Sequence, residues 1–156
     1  ESINIEIKSR HMSHKERAEN LKQAARGYFE QGPRITPERI DRLAPGEIFV
    51  FGSNPEGNHS GGAARAALTR FGAIMGQGAG LQGQSYAIPT TGSIQKLTQH
   101  IREFIRFAKA RPELKFLVTR IGCGHAGFSD RDMAHFFRDA KDVENISLPA
   151  SFWPHL

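Results

Sequence analysis

A glycine-rich segment late in the chain carries the clearest chemistry: Gly122, Cys123, Gly124, His125, Ala126, Gly127 and Phe128. It follows an apolar run at 116–121 and precedes apolar residues at helical spacing, so a strand leads through this turn into a helix. Glycine lets a backbone approach a ligand closely, and amide groups at the start of a helix attract anions. We therefore predict a phosphate site here, and the alternative is a tight strand-to-helix turn without a ligand.

Small polar residues follow two earlier predicted strands, 47–51 and 85–88. They supply the hydroxyls and amides of Ser53, Asn54, Asn58, Thr90 and Thr91. Hydroxyls and amides with few carboxylates suit a phosphorylated sugar better than a metal, so we predict neither a metal site nor a cofactor. Asn54 could pair with a ribose hydroxyl or turn the chain before Pro55, and the two roles are compatible.

The elements around these loops alternate between strands and helices. Strands are predicted at 47–51, 85–88, 116–121 and 145–148, and helices at 63–71, 94–108 and 130–140. The strands are continuous apolar runs, as in sheets that are covered on both faces. We predict an α/β fold with a largely parallel central sheet, whose ligands bind beyond the carboxyl ends of the strands.

Residues 1–45 are predicted to form an N-terminal extension of strand and helix. Alternating isoleucines at 3–7 indicate a strand, and apolar spacing over 18–29 indicates a helix. Thr36 followed by Pro37 is typical of a helix start, which predicts a short helix at 37–43. The residues Ser9-Arg10-His11-Met12 look like a junction left by cloning, so about the first 12 residues are expected to be foreign to the natural protein.

A long segment between the first helix and the next strand, residues 72–84, contains five glycines and no apolar periodicity. Loops of this length in a compact domain are usually functional or mobile. The sequence therefore predicts a loop here, without a strand or helix of its own.

Composition narrows the class of protein. Hydrophobic residues make up 38% and charged residues 24% of the 156 residues, which is ordinary for a soluble globular domain. The net charge is +5, but the lysines and arginines are scattered, so a solvated basic surface is favoured over a nucleic-acid-binding face. Cys123 is alone, which excludes an intramolecular disulfide, and we see no signal peptide or long apolar run. We expect a cytoplasmic protein without a membrane partner, and nucleic acid is disfavoured as a partner.

Three segments of the chain resemble the macro domain: 49–54, 61–67 and 119–128. The resemblance covers roughly 46–149 and would make 46–156 a macro-like domain, with the whole chain one compact domain. It implies a three-layer α/β/α fold, with a mixed and largely parallel central sheet, that binds ADP-ribose or a related adenine nucleotide derivative.

The resemblance also implies roles for individual residues. Asn54 would contact the distal ribose, and Gly61 and Gly62 would border that ribose and the pyrophosphate. Phe128 would line the pocket. The phosphates would be wrapped by the backbone amides of the glycine-rich segment after the third strand, those of Gly122, Cys123, Gly124, His125 and Gly127.

The chain also departs from the family pattern. Phe51 stands where a second asparagine is usual, and Ala126 stands where an aromatic residue is usual. Ala63 and Ala64 occupy the place of the acidic residue found in many members that hydrolyse ADP-ribosyl esters. The aspartate that binds adenine in the family falls near Asp41, but only with a gap, and the glycine-rich stretch 76–84 has no counterpart in the usual pattern.

We therefore predict a module that binds ADP-ribose or a related nucleotide, free or on an ADP-ribosylated macromolecule. The first alternative is an ADP-ribosyl hydrolase or terminal phosphatase of the same fold, in which Asn54 and His59 place a water molecule. The second alternative is a small basic interaction or nucleic-acid-binding module. His125, Asp130 and Cys123 are further acid, base or nucleophile candidates, although a lone cysteine in a glycine turn is more often a packing residue.

Overall fold

The structure is a computed structural model that describes residues 13–18 and 32–156. The chain divides into two compact units, residues 1–33 and 34–156. In the first unit, residues 14–18 are helical. The predicted strand at 3–7 lies outside the described residues, and so does the predicted helix at 18–29, except for Ala18, which is helical. The second unit begins before the boundary predicted at residue 46 and contains the candidate site.

The second unit alternates strands and helices. Its strands are β1 (Ile35–Thr36), β2 (Glu47–Ser53), β3 (Gly80–Gln82), β4 (Ser85–Pro89), β5 (Lys115–Val118) and β6 (Ile146–Pro149). Its α-helices are α1 (Gly62–Arg70), α2 (Ile94–Ala110) and α3 (Asp130–Phe136), followed by 3-10 turns at Arg138–Ala140 and Trp153–His155. Each strand and helix predicted within residues 47–156 is present, although β5 is shorter than expected.

The six strands form one sheet in the order β1-β6-β5-β2-β4-β3. Strand β3 runs antiparallel to β4, and the other neighbours are parallel. The prediction of an α/β fold with a mixed, largely parallel sheet is therefore confirmed. Strand β2 lies between β4 and β5, so the loop that follows β2 leaves the middle of the sheet.

The two faces of β2 are covered by different helices because alternate side chains of a strand point to opposite faces. Ile48 and Val50 belong to a core cluster that includes the buried residues of α2 and α3. Phe49 and Phe51 belong to a second cluster that includes Ala64 and Ala67 of α1. Helices thus lie on both faces of the sheet, and the buried aromatic and aliphatic side chains of these clusters are the main source of stability.

Side-chain caps fix the first residues of helices α2 and α3. The Ser93 hydroxyl accepts a hydrogen bond from the Lys96 amide at 3.2 Å, as the predicted cap of α2 should. At the start of α3, Ser129 and Asp132 cap each other's backbone amides, which fixes the end of the second glycine-rich loop.

The helix predicted at 37–43 is wrong, because these residues form no helix in the structure. Thr36 is the last residue of β1 and pairs with Pro149 of β6. The partly buried side chains of Ile40 and Leu43 pack against the α1 cluster. Thr-Pro is compatible with a strand end as well as a helix start, and pairing with β6 selects the strand.

The glycine segment at 72–84 is not a plain loop, because it contains β3. Its two ends cross at a point of backbone contact, where a Cβ on Gly83 would lie 2.7 Å from the Gly72 Cα. Gly83 also has a φ of +59°, a conformation that favours glycine. The prediction missed β3 because a three-residue strand rich in glycine carries no apolar alternation.

Candidate functional site

The candidate site lies at the carboxyl ends of the two neighbouring strands β2 and β5. The loop after β2 leads to α1 on one face of the sheet, and the loop after β5 leads to α3 on the other. Loops that diverge in this way open a crevice, which is the usual ligand position in a parallel sheet. A cavity of about 540 Å³, which we call the amide cavity, occupies this crevice.

Backbone amide groups are the main feature of the amide cavity. Residues 60–64 of the first loop line it, and so do all residues of the run 122–126 in the second loop except Cys123. Within the described part of the chain, none of the N–H groups in these two runs donates a hydrogen bond. Helix α1 starts here without a side-chain cap and without an acidic residue in its first turn. Free donors at a helix start favour an anionic ligand.

Two glycines of the second loop differ in what surrounds them. Gly122 has a φ of +76°, a conformation that favours glycine, and a Cβ there would lie 2.6 Å from the sulfur of the Met133 side chain. A Cβ on Gly124 would meet nothing within 4 Å, and Gly124 lines the amide cavity. Glycine at 122 is therefore favoured by the backbone conformation and by the close approach of Met133, whereas the space beside Gly124 is open.

Asn54 lines the amide cavity and also shapes the first loop. Its Oδ1 accepts a hydrogen bond from the Asn58 amide at 2.9 Å, and its Nδ2 donates to the Asn58 carbonyl at 3.3 Å. These bonds close a turn across Pro55. The loop-shaping role is thus visible in the structure, and one Nδ2 hydrogen remains for a ligand.

His59 lies behind the first loop and does not line the amide cavity, because its side chain is fully buried. Its Nε2 lies 2.9 Å from the Gln77 carbonyl and 3.2 Å from Gln82 Oε1, and both partners are acceptors, so Nε2 donates. Its ring meets Phe51 edge-on at 5.1 Å. In this position His59 cannot place a water molecule in the cavity.

The glycine segment at 72–84 supports the first loop from behind. The Ser53 hydroxyl donates to the Gly78 carbonyl, and the Gly76 amide donates to the Gly57 carbonyl at 2.8 Å. A Cβ on Gly78 would lie 2.4 Å from the Asn54 carbonyl oxygen. The two segments therefore fit together through backbone contact, and the first loop packs on the glycine segment.

An ion pair that the sequence reading missed braces the second loop. The Arg120 guanidinium donates from Nε to Asp130 Oδ1 and from Nη2 to Oδ2, both at 2.7 Å. The Ser151 hydroxyl also donates to Asp130 Oδ1, at 2.8 Å. The hydrogen bonds from Arg120 hold the pKa of Asp130 well below its usual range, against the opposing effect of burial. The loop between Arg120 and Asp130 is thus closed at its base.

Cys123 is not poised as a nucleophile. Burial, and next the negative charge of Asp130, raise the pKa of the thiol to about 11, so it stays protonated at neutral pH. The sulfur lies 3.5 Å from Asp130 Oδ1, where the thiol donates a weak hydrogen bond. Cys123 packs against the core next to the ion pair and does not line the amide cavity.

A second cavity of about 660 Å³, the side cavity, adjoins the amide cavity. Both cavities are lined by Ala63, Thr119 and Arg120. The side cavity extends over the carboxyl ends of β1 and β6 and contains Asp41. The Asp41 carboxylate lies 3.1 Å from Arg39 Nε and 3.6 Å from a terminal nitrogen of Arg70. The joined cavities form one elongated space along the carboxyl edge of the sheet.

The structure gathers most of the residues predicted for the ligand site. Those that line the amide cavity are Asn54, Gly61, Gly62, Gly122, Gly124 and His125. Cys123, Gly127 and Phe128 do not line it, and Phe128 instead lines a separate hollow beside Phe136. Among the described residues whose side chains line the amide cavity, only Arg120 and His125 are titratable, and none is a carboxylate.

Comparisons with protein-family models, with curated proteins and with solved structures return no match for this chain. Within residues 13–18 and 32–156, no group of three or more histidine, cysteine, aspartate or glutamate side chains is arranged to hold a metal ion. Nor does the described part of the chain contain a helix long and apolar enough to span a membrane.

Proposed function

We propose that the protein binds ADP-ribose or a related adenine nucleotide diphosphate in the joined amide and side cavities. One observation carries the proposal: free backbone amides of residues 60–64 and of Gly122, Gly124, His125 and Ala126 line the same cavity at the switch point of the sheet. Such amides bind phosphate oxygens without needing a cationic side chain. The likeness of these segments to the macro domain supports the same ligand.

The shape of the joined cavities favours a ligand with groups on both sides of a diphosphate. In our proposal the phosphates lie over the amide runs and the distal ribose lies near Asn54. The adenine then occupies the side cavity, where Asp41 can accept a hydrogen bond from an exocyclic amine and Phe49 supplies an apolar wall. A mononucleotide would fill only part of this space.

Arg120 stands where the two cavities meet, next to the proposed position of the diphosphate. Its side chain is 62% exposed, and Asp130 engages one edge of the guanidinium. The remaining N–H groups are free to donate to a phosphate oxygen, although the paired charge of Asp130 offsets their attraction. We therefore assign Arg120 a positioning contact that assists the amides.

Binding is favoured over hydrolysis because of the side chains present. Of the residues that the structure describes, no carboxylate lines the amide cavity, His59 is buried behind the loop, and the amide of Asn54 is engaged with Asn58. His125 is the one exposed group that could act as a general base, which keeps an ADP-ribosyl hydrolase or terminal phosphatase as the second candidate.

Calorimetry with ADP-ribose, ADP and AMP tests the proposal. We expect affinity to fall in that order, because each shorter ligand leaves part of the joined cavities empty. At a concentration of about 100 times Kd, ADP-ribose should add about 2.7 kcal/mol to the free energy of unfolding. The proposal fails if none of the three ligands binds. Release of free ADP-ribose from a modified protein, abolished by His125→Ala, would instead establish the hydrolase.

A further inference from the structure

A basic groove lies between α2 and the segment 138–143, on the face of the sheet opposite α1. Its volume is about 770 Å³, and its floor includes Ile105 and Val143. Arg102, Arg106 and Lys109 form one wall, at the spacing that places side chains along one side of a helix. Arg138 and Lys141 lie across from them.

The cations of this groove are largely unpaired. Five cationic side chains line it, against the two carboxylates of Asp139 and Asp142. Within the part of the chain that the structure describes, the side chains of Arg102, Arg106, Lys109 and Lys141 make neither an ion pair nor a hydrogen bond. A cluster of unpaired cations creates a positive potential that attracts polyanions.

The groove continues past Arg138 into an aromatic hollow of about 690 Å³, which also contains Arg131 and His135. The half-buried rings of Phe128 and Phe136 line it, and they meet edge-to-face at 6.0 Å. The Arg138 guanidinium lies 2.6 Å from His135 Nδ1 at the junction. Cationic and aromatic side chains therefore line one continuous depression.

We propose that the basic groove and the aromatic hollow bind single-stranded nucleic acid. The cations of the groove contact successive backbone phosphates, and unpaired bases stack on the rings of the hollow. The proposal stands independently of the nucleotide diphosphate site. The sequence reading expected scattered cations, because Arg138 and Lys141 are brought to α2 only by the fold.

The alternatives fit the depression less well. An acidic peptide would satisfy the cations but gains no stacking from Phe128 and Phe136. A duplex presents its phosphates but keeps its bases stacked internally, so the aromatic hollow would contribute nothing to binding. A single strand uses both halves of the depression, and both alternatives are tested below.

Fluorescence anisotropy with a labelled oligothymidylate of about ten nucleotides tests the proposal on the full chain. The groove variant is Arg102→Gln/Arg106→Gln/Lys109→Gln. The matched control is Arg42→Gln/Arg65→Gln/Lys96→Gln, which removes the same charge from exposed residues that line neither the groove nor the hollow. Circular dichroism melting establishes that both variants keep the fold.

We expect the parent to bind the single strand more tightly than a duplex of equal length or a polyglutamate. The groove variant should lose about tenfold in affinity, and its slope of log affinity against log salt should fall by about 2, since each lost phosphate contact removes about 0.7. The control variant should keep the parent's slope of log affinity against log salt, apart from the small change expected from its lower net charge. Phe136→Leu should weaken the single strand by about fivefold or more and leave duplex binding unchanged.

Four results would overturn the proposal. They are failure of the parent to bind the oligothymidylate, equal losses in the groove and control variants, tighter binding of the duplex, and tighter binding of polyglutamate. The last two would assign the groove to a duplex and to an acidic protein, respectively.

Discussion

Two glycine-rich regions of this protein use the same residue type for opposite purposes. In the loop at 122–126, a Cβ on Gly124 would meet nothing within 4 Å, and the neighbouring amides have no partner among the described residues. In the segment at 72–84, a Cβ on Gly78 or Gly83 would lie within 2.7 Å of another backbone segment. Glycine leaves open space, where we propose a ligand binds, in the first case, and it makes room for another backbone segment in the second.

The comparison teaches that glycine content alone does not locate a ligand site. What separates the two regions is the space in front of each glycine and the state of the neighbouring amides. In the segment at 72–84, polar groups bond within the protein. The Gln82 Nε2 donates to the Gln77 and Gly80 carbonyls, and its Oε1 accepts from the Ile74 amide. The loop at 122–126 keeps its amides free.

The greatest loss of stability is expected from a side chain placed at Gly78, where the glycine segment touches the first loop. In Gly78→Ala the new Cβ would lie only 2.4 Å from the Asn54 carbonyl oxygen. The two backbone segments cannot move apart without disturbing the first loop. We expect the free energy of unfolding to fall by about 3 kcal/mol. Urea denaturation measures this. Gly76→Ala, with nothing within 4 Å, is the control for space, although its φ of +93° carries a separate strain. If the Gly78→Ala protein is as stable as the parent, the close contact between residue 78 and Asn54 does not require glycine.

The second effect is on binding. Gly124→Val should leave the fold intact, because open space surrounds the new side chain, and should weaken ADP-ribose binding by about a hundredfold by occupying the place of a phosphate. Circular dichroism and calorimetry together test this. Parental affinity in a folded variant would show that the loop is only a turn.

The third effect separates two roles of Asn54. Asn54→Ala removes both bonds to Asn58 and the proposed contact with the distal ribose. We expect ADP-ribose affinity to fall by about tenfold and AMP affinity by less, since AMP lacks that ribose. Calorimetry with both ligands decides. Equal losses would mean that Asn54 acts through the shape of the loop alone.

The smallest effect distinguishes the loops by charge. The folded-state pKa of Asp130 is depressed by Arg120, so the ion pair stabilises the protein above the usual carboxyl pKa of about 3.9 and is lost as pH falls below it. The stability difference between the parent and Asp130→Asn should therefore shrink between pH 6 and about pH 3. Gln77→Leu, which removes hydrogen bonds from a neutral amide group to the Ala79 and Leu81 carbonyls, should show a difference from the parent that does not change over this range. A pH-independent difference for Asp130→Asn would contradict the assignment.

Much of the fold follows from local sequence patterns. The apolar runs predicted β2, β4, β5 and β6, and the spacing of apolar residues predicted α2 with its Ser93 cap. Each of these signals lies within the element it specifies. The helix expected at 37–43 failed because its Thr-Pro signal is equally compatible with the end of β1, and pairing with a strand over a hundred residues later decided the outcome.

The candidate site was only partly predictable for the same reason. Glycines after strands marked the amide cavity, because the carboxyl ends of parallel strands share one edge. The burial of His59 was hidden, since it depends on Gln77 and Gln82 in a segment without periodicity. The pairing of Arg120 with Asp130 was also missed, although a cation before a loop and an acid after it could have suggested it.

Because the first loop contacts the glycine segment at 72–84, we expect binding of the proposed ligand to affect the opening of that segment. Contacts at Ser53, Gly57 and His59 join the first loop to residues 76–78. If the two segments open as one cooperative unit, a ligand that binds only the closed form raises the free energy of that opening. The Gln77 amide, which donates to the Ile74 carbonyl, should then exchange its hydrogen with solvent more slowly when ADP-ribose is bound. The protection would report occupancy of the site from a segment that lines neither of its two cavities.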